Sequence, residues 1–100
     1  MKPANIDPRL IQAIEQAVPD SAIQAIVTLG SVNGEVLSKE EVDTLCGQIV
    51  GRAQAQSGSA PHRMKIMYNL QTMIIEANAE FIQVALQDAH VSSAMLNAAE

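Results

Sequence analysis

The chain has 100 residues, of which 48% are hydrophobic and 17% are charged, and this composition predicts one folded domain with a modest core rather than a disordered chain. The net charge of −5 and the scarcity of aromatic residues, Tyr68 and Phe81 alone, argue against nucleic acids and anionic membranes as partners, because these attract cationic proteins and bases stack on aromatic rings. The single Cys46 and the lack of a long apolar segment predict a cytoplasmic protein without a disulfide or a membrane span.

The N-terminal residues predict a helical extension ahead of the main domain. Asp7 followed by Pro8 is typical of a helix N-cap with proline at the first helical position, and apolar residues at helical spacing follow up to the next proline. We therefore expect a helix over 8–18, inside an extension of residues 1–21. The remaining residues, 22–100, are expected to form the main domain.

The next residues predict a strand and then the longest helix. Residues 22–29 are rich in β-branched side chains, which favours a strand, and residues 32–37 follow as an irregular or hairpin-like excursion. Ser38 and Glu41 have the spacing of a capping box, which predicts the start of a helix. The apolar stripe of this helix is Val42, Leu45, Cys46, Ile49, Val50 and Ala53.

Two glycines and a polar segment characterise the second half of this helix. Gly47 and Gly51 have the spacing that lets a neighbouring element approach closely, and we interpret them as a packing position. The small polar residues 54–61, which end in Pro61, predict an exposed loop.

The C-terminal part predicts two strands, a helix and a last strand. Asn78 is a favourable N-cap, and Glu80 lies in the first turn that would follow it. The predicted elements are strands over 64–68 and 72–77, a helix over 79–89 and a strand over 91–96. Residues 97–100 are predicted to be a tail.

The order of the elements after the first helix is β-α-β-β-α-β. This order predicts an α+β fold, namely a ferredoxin-like antiparallel sandwich of four strands with two helices on one face. Right-handed crossovers would place the first and third predicted strands in the centre of the sheet. The leading helix is then an addition to the sandwich.

Residues with catalytic or metal-binding chemistry are few and scattered along the chain. His62 falls in a loop, His90 at a helix end and Cys46 on the apolar stripe of a helix, so they do not form a set with metal-ligand spacing. Glu40, Glu41 and Asp43 lie near the start of the helix that follows Ser38. The helix dipole favours acidic residues there, so they do not indicate a catalytic pair. We therefore expect a protein that is not an enzyme and has no catalytic residues, metal or cofactor.

The second face of the predicted sheet is the most informative feature. Strand alternation places apolar side chains there, namely Ile26, Met67, Ile74 and Ala94. Their polar neighbours are Gln24, Thr28, Lys65, Thr72 and Glu76. An apolar centre with a polar rim is suited to docking on another protein. Two alternatives remain open, in which either the 8–18 helix or a second copy of the chain covers this face.

Several segments together resemble a known family of domains. These segments are residues 6–10, 20–29, 69–77, 81–86 and 91–94. They are similar to the propeptide domain of subtilisin-type serine proteases, which also occurs as free-standing inhibitors of those enzymes. The resemblance covers nearly the whole chain.

The resemblance implies how the domain would bind a protease. The open side of the sheet, with Ile26, Met67 and Ile74, would pack on two surface helices of the enzyme. Asn69 and Gln71 stand at the turn where family members often carry an acidic residue that caps those helices. The tail would lie in the substrate cleft as an extended strand, and its residues are Leu96, Asn97, Ala98, Ala99 and Glu100.

The first functional hypothesis is therefore a non-catalytic domain that inhibits, or assists the folding of, a subtilisin-like serine protease. An adaptor or self-association module that forms a homodimer is the second hypothesis. A small-ligand sensor is the third, because ferredoxin-like domains bind ligands at sheet edges or dimer interfaces. An enzyme is the last.

Overall fold

The structure, a computed structural model, describes residues 5–18, 21–30 and 36–97. Within these ranges the chain forms an α+β domain with three α-helices and a five-stranded mixed sheet. In chain order the elements are β1 (Asn5–Ile6), α1 (Pro8–Gln16), β2 (Ile23–Leu29), α2 (Lys39–Ser57), β3 (Arg63–Met67), a 3₁₀ turn (Tyr68–Leu70), β4 (Thr72–Ala77), α3 (Ala79–Ala85) and β5 (Val91–Leu96). Most of the predicted excursion over 32–37 lies outside the described residues.

Each α-helix begins after the polar residue that predicts its start. The side chains of Asp7 and Asn78 accept a backbone N–H from the first turn of α1 and α3, at 3.0 and 2.8 Å. At the start of α2, Ser38 Oγ accepts the N–H of Glu41 at 3.1 Å, and Glu41 Oε1 accepts the N–H of Ser38 at 2.9 Å. These bonds satisfy N–H groups that a helix leaves without an internal partner.

All three helices end elsewhere than the residues predict. α1 ends at Gln16 rather than at residue 18, because Ala17 is already extended with ψ 140°. α2 continues through residues 54–57, which were expected in a loop, because alanine and glutamine favour helix and the first left-handed residue, Gly58 at φ 73°, comes only afterwards. α3 ends at Ala85 rather than at Ala89. Beyond it, backbone N–H groups bond to carbonyls three residues back, and this tighter turn does not continue the helix.

The strands lie in the order β1-β5-β2-β4-β3. β2 pairs antiparallel with both β4 and β5, and β3 pairs antiparallel with β4, so the first and third predicted strands, β2 and β4, lie inside the sheet. β1 pairs parallel to β5. The expectation of a purely antiparallel sheet is therefore wrong, because two residues ahead of α1 add a parallel strand that is too short to produce a sequence pattern.

The core lies between the helices and one face of the sheet. Its largest fully buried side chains are Phe81, Leu10, Ile49, Met73, Ile75, Ile82, Val27, Val42 and Cys46. Leu10 belongs to α1, and this helix contacts α3 and β5. α1 therefore lies on the same side of the sheet as the other helices, and the alternative that it covers the opposite face is wrong.

The packing role expected for Gly47 and Gly51 is also wrong. Both lie on the exposed side of α2, and a Cβ added at either position would meet no described atom within 4 Å. The apolar stripe of α2 faces the core on its other side, so these glycines have no described neighbour to approach.

Among the described residues, no helix has the length and apolar character that crossing a membrane requires.

Candidate functional site

The face of the sheet opposite the helices is left uncovered by the described elements, and alternate residues of four strands build it. In β2 the side chains alternate between buried and half-buried along the whole strand, which assigns one set to the core and the other to the outside. We call this outer surface the open face. By alternation it consists of Gln24, Ile26, Thr28, Arg63, Lys65, Met67, Thr72, Ile74, Glu76, Ser93 and Met95. Thr72 is nevertheless buried, at 6% exposed.

An apolar row crosses the centre of the open face. The register places Ile26 between Met95 of β5 and Ile74 of β4, and Ile74 opposite Lys65 of β3. Ile26 and Ile74 are half-buried, and Met95 is 50% exposed. Three apolar side chains in one row, with a lysine at the end, form a surface with an apolar centre and a charged margin.

The polar margin at β3 carries most of the charge of the open face. Glu76 Oε1 accepts a hydrogen bond from Gln24 Nε2 at 3.4 Å and lies 3.7 Å from Arg63 Nε. Lys65 is exposed beside them. These groups surround a groove of about 460 Å³. Its lining residues are Gln24, Arg63, Met64, Lys65, Ile74 and Glu76. The margin is cationic overall, although the whole chain has a net charge of −5.

The structure places most of the predicted outward residues on the open face. Ile26, Met67 and Ile74 lie there as expected. Ala94 does not, because it pairs with the core residue Val27 and is only 4% exposed. Met95 occupies the expected position instead. Small residues dominate the first half of β5, so the sequence pattern does not show which of its side chains face outward. The exposed Met95 is therefore the residue that sequence reasoning missed.

The two amides at the turn before β4 have different environments. Asn69 is exposed in the 3₁₀ turn. Gln71 has φ 50°, and its Oε1 accepts the N–H of Leu37 at 2.8 Å. Its backbone carbonyl accepts the N–H of Leu29 at 2.8 Å. Gln71 thus joins the end of β2 to the residues before α2 within the chain itself.

The end of β5 lies where the residues predict it. Leu96 is the last residue of β5 and pairs with Ala25. Asn97 donates its backbone N–H to the carbonyl of Gln24 at 2.9 Å, and its Nδ2 donates to Gln24 Oε1 at 3.0 Å. Leu96 thus ends the strand as predicted, and Asn97 follows the strand but is held to Gln24 by two hydrogen bonds within this chain. Ala98, Ala99 and Glu100 lie outside the described residues.

Scans against protein-family models, curated proteins and solved structures gave no match. The resemblance to subtilisin propeptides therefore stays a prediction. Any functional assignment has to start from the surfaces and side chains that the fold presents.

A polar cluster that sequence reasoning missed lies at the other side of the molecule. The nearly buried carboxylate of Asp88 accepts hydrogen bonds from Arg52 Nη1 at 2.9 Å and from the backbone N–H of His90 at 2.9 Å. His90 Nδ1 lies 3.2 Å from the same carboxylate. Arg52 and Asp88 are far apart in sequence, so no local pattern indicates the pair. The cluster ties α2 to the turn before β5.

The remaining reactive side chains do not converge on the open face. Cys46 is buried in the core, and burial, with a smaller contribution from the Asp43 carboxylate, raises the pKa of its thiol to about 11. Tyr68 Oη donates to Asp43 Oδ1 at 3.0 Å. His62 is exposed beyond the end of α2. In the ranges that the structure describes, no group of three His, Cys, Asp or Glu side chains could hold a metal ion.

Proposed function

We propose that this chain is a non-catalytic protein-interaction domain that binds another protein through its open face. The observation that carries the proposal is the row of Met95, Ile26 and Ile74, which α1, α2 and α3 leave uncovered on the outer side of the sheet. Burying such apolar area in a complex is favourable by about 25 cal/mol per Å². The polar groups around the row would form the rim of the interface.

We further propose that β2 to β5 form a ferredoxin-like domain and that its partner is a subtilisin-like serine protease. The order β5-β2-β4-β3, with antiparallel neighbours throughout, supports the first part. The resemblance of the chain to protease propeptides supports the second. The domain would inhibit the protease or assist its folding without chemistry of its own.

The binding mode follows from the placement of the open face next to the end of β5. A sheet whose face is already formed presents its apolar row without a large ordering cost, which favours affinity. β5 runs out of the sheet at Asn97, and residues 98–100 follow it. In this mode they would pair as an extended strand with the substrate cleft of the protease.

A titration against a panel of subtilisin-like proteases tests the role of the face. We expect the unmodified chain to inhibit at least one of them, and Ile74→Lys to weaken that inhibition by about tenfold or more, because the variant buries an unpaired charge in the interface. Ile11→Lys is the matched control. Ile11 is 44% exposed on α1, on the helical side, so this variant should inhibit like the unmodified chain.

Three other results would change the proposal. Equal inhibition by the Ile74→Lys and Ile11→Lys variants would exclude the open face from the complex, and inhibition of no protease would reject the proposed partner. Light scattering that shows twice the monomer mass for the unmodified chain, and the monomer mass for Ile74→Lys, would assign the face to a homodimer. Deleting residues 98–100 measures how much they contribute to inhibition of the protease. We expect weaker inhibition without them.

A further inference from the structure

The outer edge of β3 is the longest strand edge that the described chain leaves free. β3 (Arg63–Met67) is the last strand of the sheet and pairs with β4 alone among the described elements. Its five residues keep one register with β4, without a bulge. None is a proline. Such an edge presents backbone N–H and C=O groups that another extended segment can bind.

The side chains of this edge are cationic on the open face. Arg63 and Lys65 both point to that side, since they pair with Glu76 and Ile74. The side chain of Arg63 is 84% exposed and reaches Glu76 only at 3.7 Å. Lys65 forms no ion pair with any residue of the described ranges. An added strand would therefore meet the charge of Lys65, which no described carboxylate neutralises, and the exposed guanidinium of Arg63 beside the groove.

The other side of the same edge is apolar. Met64 is exposed, and Ile66 is half-buried against the core. Along β3, cationic and apolar side chains thus alternate from residue to residue. The side chains of an added strand alternate in the same way, and those directly opposite lie about 4.5–5.5 Å apart at Cβ.

These charges disfavour a second copy of the chain as the added strand. Antiparallel pairing of two β3 strands about their middle would place Lys65 opposite Lys65 of the copy. A shift by two residues would place it opposite Arg63 in one direction and opposite Met67 in the other. Like charges directly opposite each other in a sheet are destabilising. The same residues that repel a copy would attract a strand with carboxylates, so they select between partners.

We infer that the outer edge of β3 binds an extended acidic segment of the partner protein as an added strand. Its carboxylates would lie opposite Arg63 and Lys65, and its apolar side chains opposite Met64 and Ile66. The inference rests on the proposed function, because it takes the partner to be a protein that docks on this domain. To the proposed function it adds that one segment of the partner is extended and acidic.

Synthetic peptides test the inference directly. The probe is a fluorescein-labelled peptide with capped ends and the sequence Thr-Glu-Val-Glu-Val-Glu-Thr, and binding to the full chain is measured by fluorescence anisotropy. One control peptide has lysine in place of each glutamate, and a second has the same composition with the three glutamates adjacent. We expect the alternating acidic peptide to bind best, and more weakly as salt is added, because exposed charges are screened.

Charge reversal on the chain gives the matched comparison. We expect Lys65→Glu to weaken binding of the acidic peptide by about tenfold and to allow binding of the lysine peptide. Arg9→Glu makes the same charge change on α1, near the opposite end of the sheet, and should leave both affinities as in the unmodified chain. Circular dichroism and thermal unfolding confirm that each variant is folded.

Amide hydrogen exchange locates the bound peptide. Backbone N–H groups of β3 should gain protection when the acidic peptide is present, and those of α1 should not. Equal binding of the acidic and lysine peptides, no binding of either, or protection elsewhere than β3 would overturn the inference. Protease inhibition by the Ile74→Lys variant tests the open face, and peptide binding tests the edge of β3. Either proposal can therefore fail while the other holds.

Discussion

At the residue scale, Cys46 shows how burial removes a reactive group from the chemistry of the molecule. Its side chain belongs to the apolar stripe of α2 and lies in the core. Burial, and to a lesser extent the negative charge of Asp43, raises the pKa of the thiol to about 11 from 9.0. A thiol with a raised pKa is a poor nucleophile because little thiolate is present at neutral pH.

We predict that Cys46 resists alkylation in the folded chain. At pH 8 the raised pKa lowers the thiolate fraction by about a hundredfold, and burial adds a barrier to access, so iodoacetamide should modify the folded chain far more slowly than the chain in urea. Mass spectrometry at successive times measures both rates. Similar rates in the two conditions would show that the thiol is accessible in the native state.

At the element scale, the contact between α2 and the turn before β5 depends on Asp88. Its carboxylate is only 6% exposed, whereas the guanidinium side chain of Arg52 is 55% exposed. A nearly buried carboxylate needs hydrogen-bond donors, and Arg52 and His90 supply them. Removing the acceptor therefore leaves more groups without a partner than removing one donor does.

We predict that Asp88→Ala lowers the free energy of unfolding by about 2 kcal/mol, because the partly buried N–H of His90 and the Arg52 guanidinium lose their common acceptor. Arg52→Met should cost about 1 kcal/mol, since solvent screens this half of the pair. Arg63→Met is the control at an exposed pair with Glu76, with an expected change below about 0.5 kcal/mol. Urea unfolding followed by circular dichroism measures all three. An equal loss of unfolding free energy in the three variants would contradict the view that the more buried partner contributes more.

The elements also show which features residues can predict. Helix starts are predictable because caps such as Ser38 with Glu41 are local. Helix ends are less so, since α2 runs on through residues with no apolar stripe until Gly58 allows a left-handed turn. Strand alternation predicts the outward positions of Ile26 and Ile74. It cannot predict long-range pairs such as Arg52 with Asp88, which form only when α2 and the turn before β5 meet.

At the scale of the whole molecule, α1 is part of the same core as the other helices. Leu10 is fully buried in the shared cluster of apolar residues, and β1, just ahead of α1, pairs with β5. The helix next to this strand therefore has contacts with both the sheet and α3. An extension bound in this way should unfold together with the domain that it covers.

We predict that Leu10→Ala lowers the free energy of unfolding by about 3 kcal/mol, because it leaves a cavity in the core, and that unfolding remains one cooperative transition. Ile11→Ala removes a more exposed side chain of the same helix and should cost less than about 1 kcal/mol. Thermal and urea unfolding provide the measurement. A separate early transition, or no loss in Leu10→Ala, would show that residues 1–21 are independent of the main domain.

The unequal lengths of the outermost strands have a consequence for stoichiometry. At one end the sheet terminates in the two residues of β1, and at the other in the five residues of β3. Of these two edges, as far as the described residues form them, only that of β3 has the length of an ordinary strand. If β3 binds a partner segment as proposed, we therefore expect one added strand per chain at this edge.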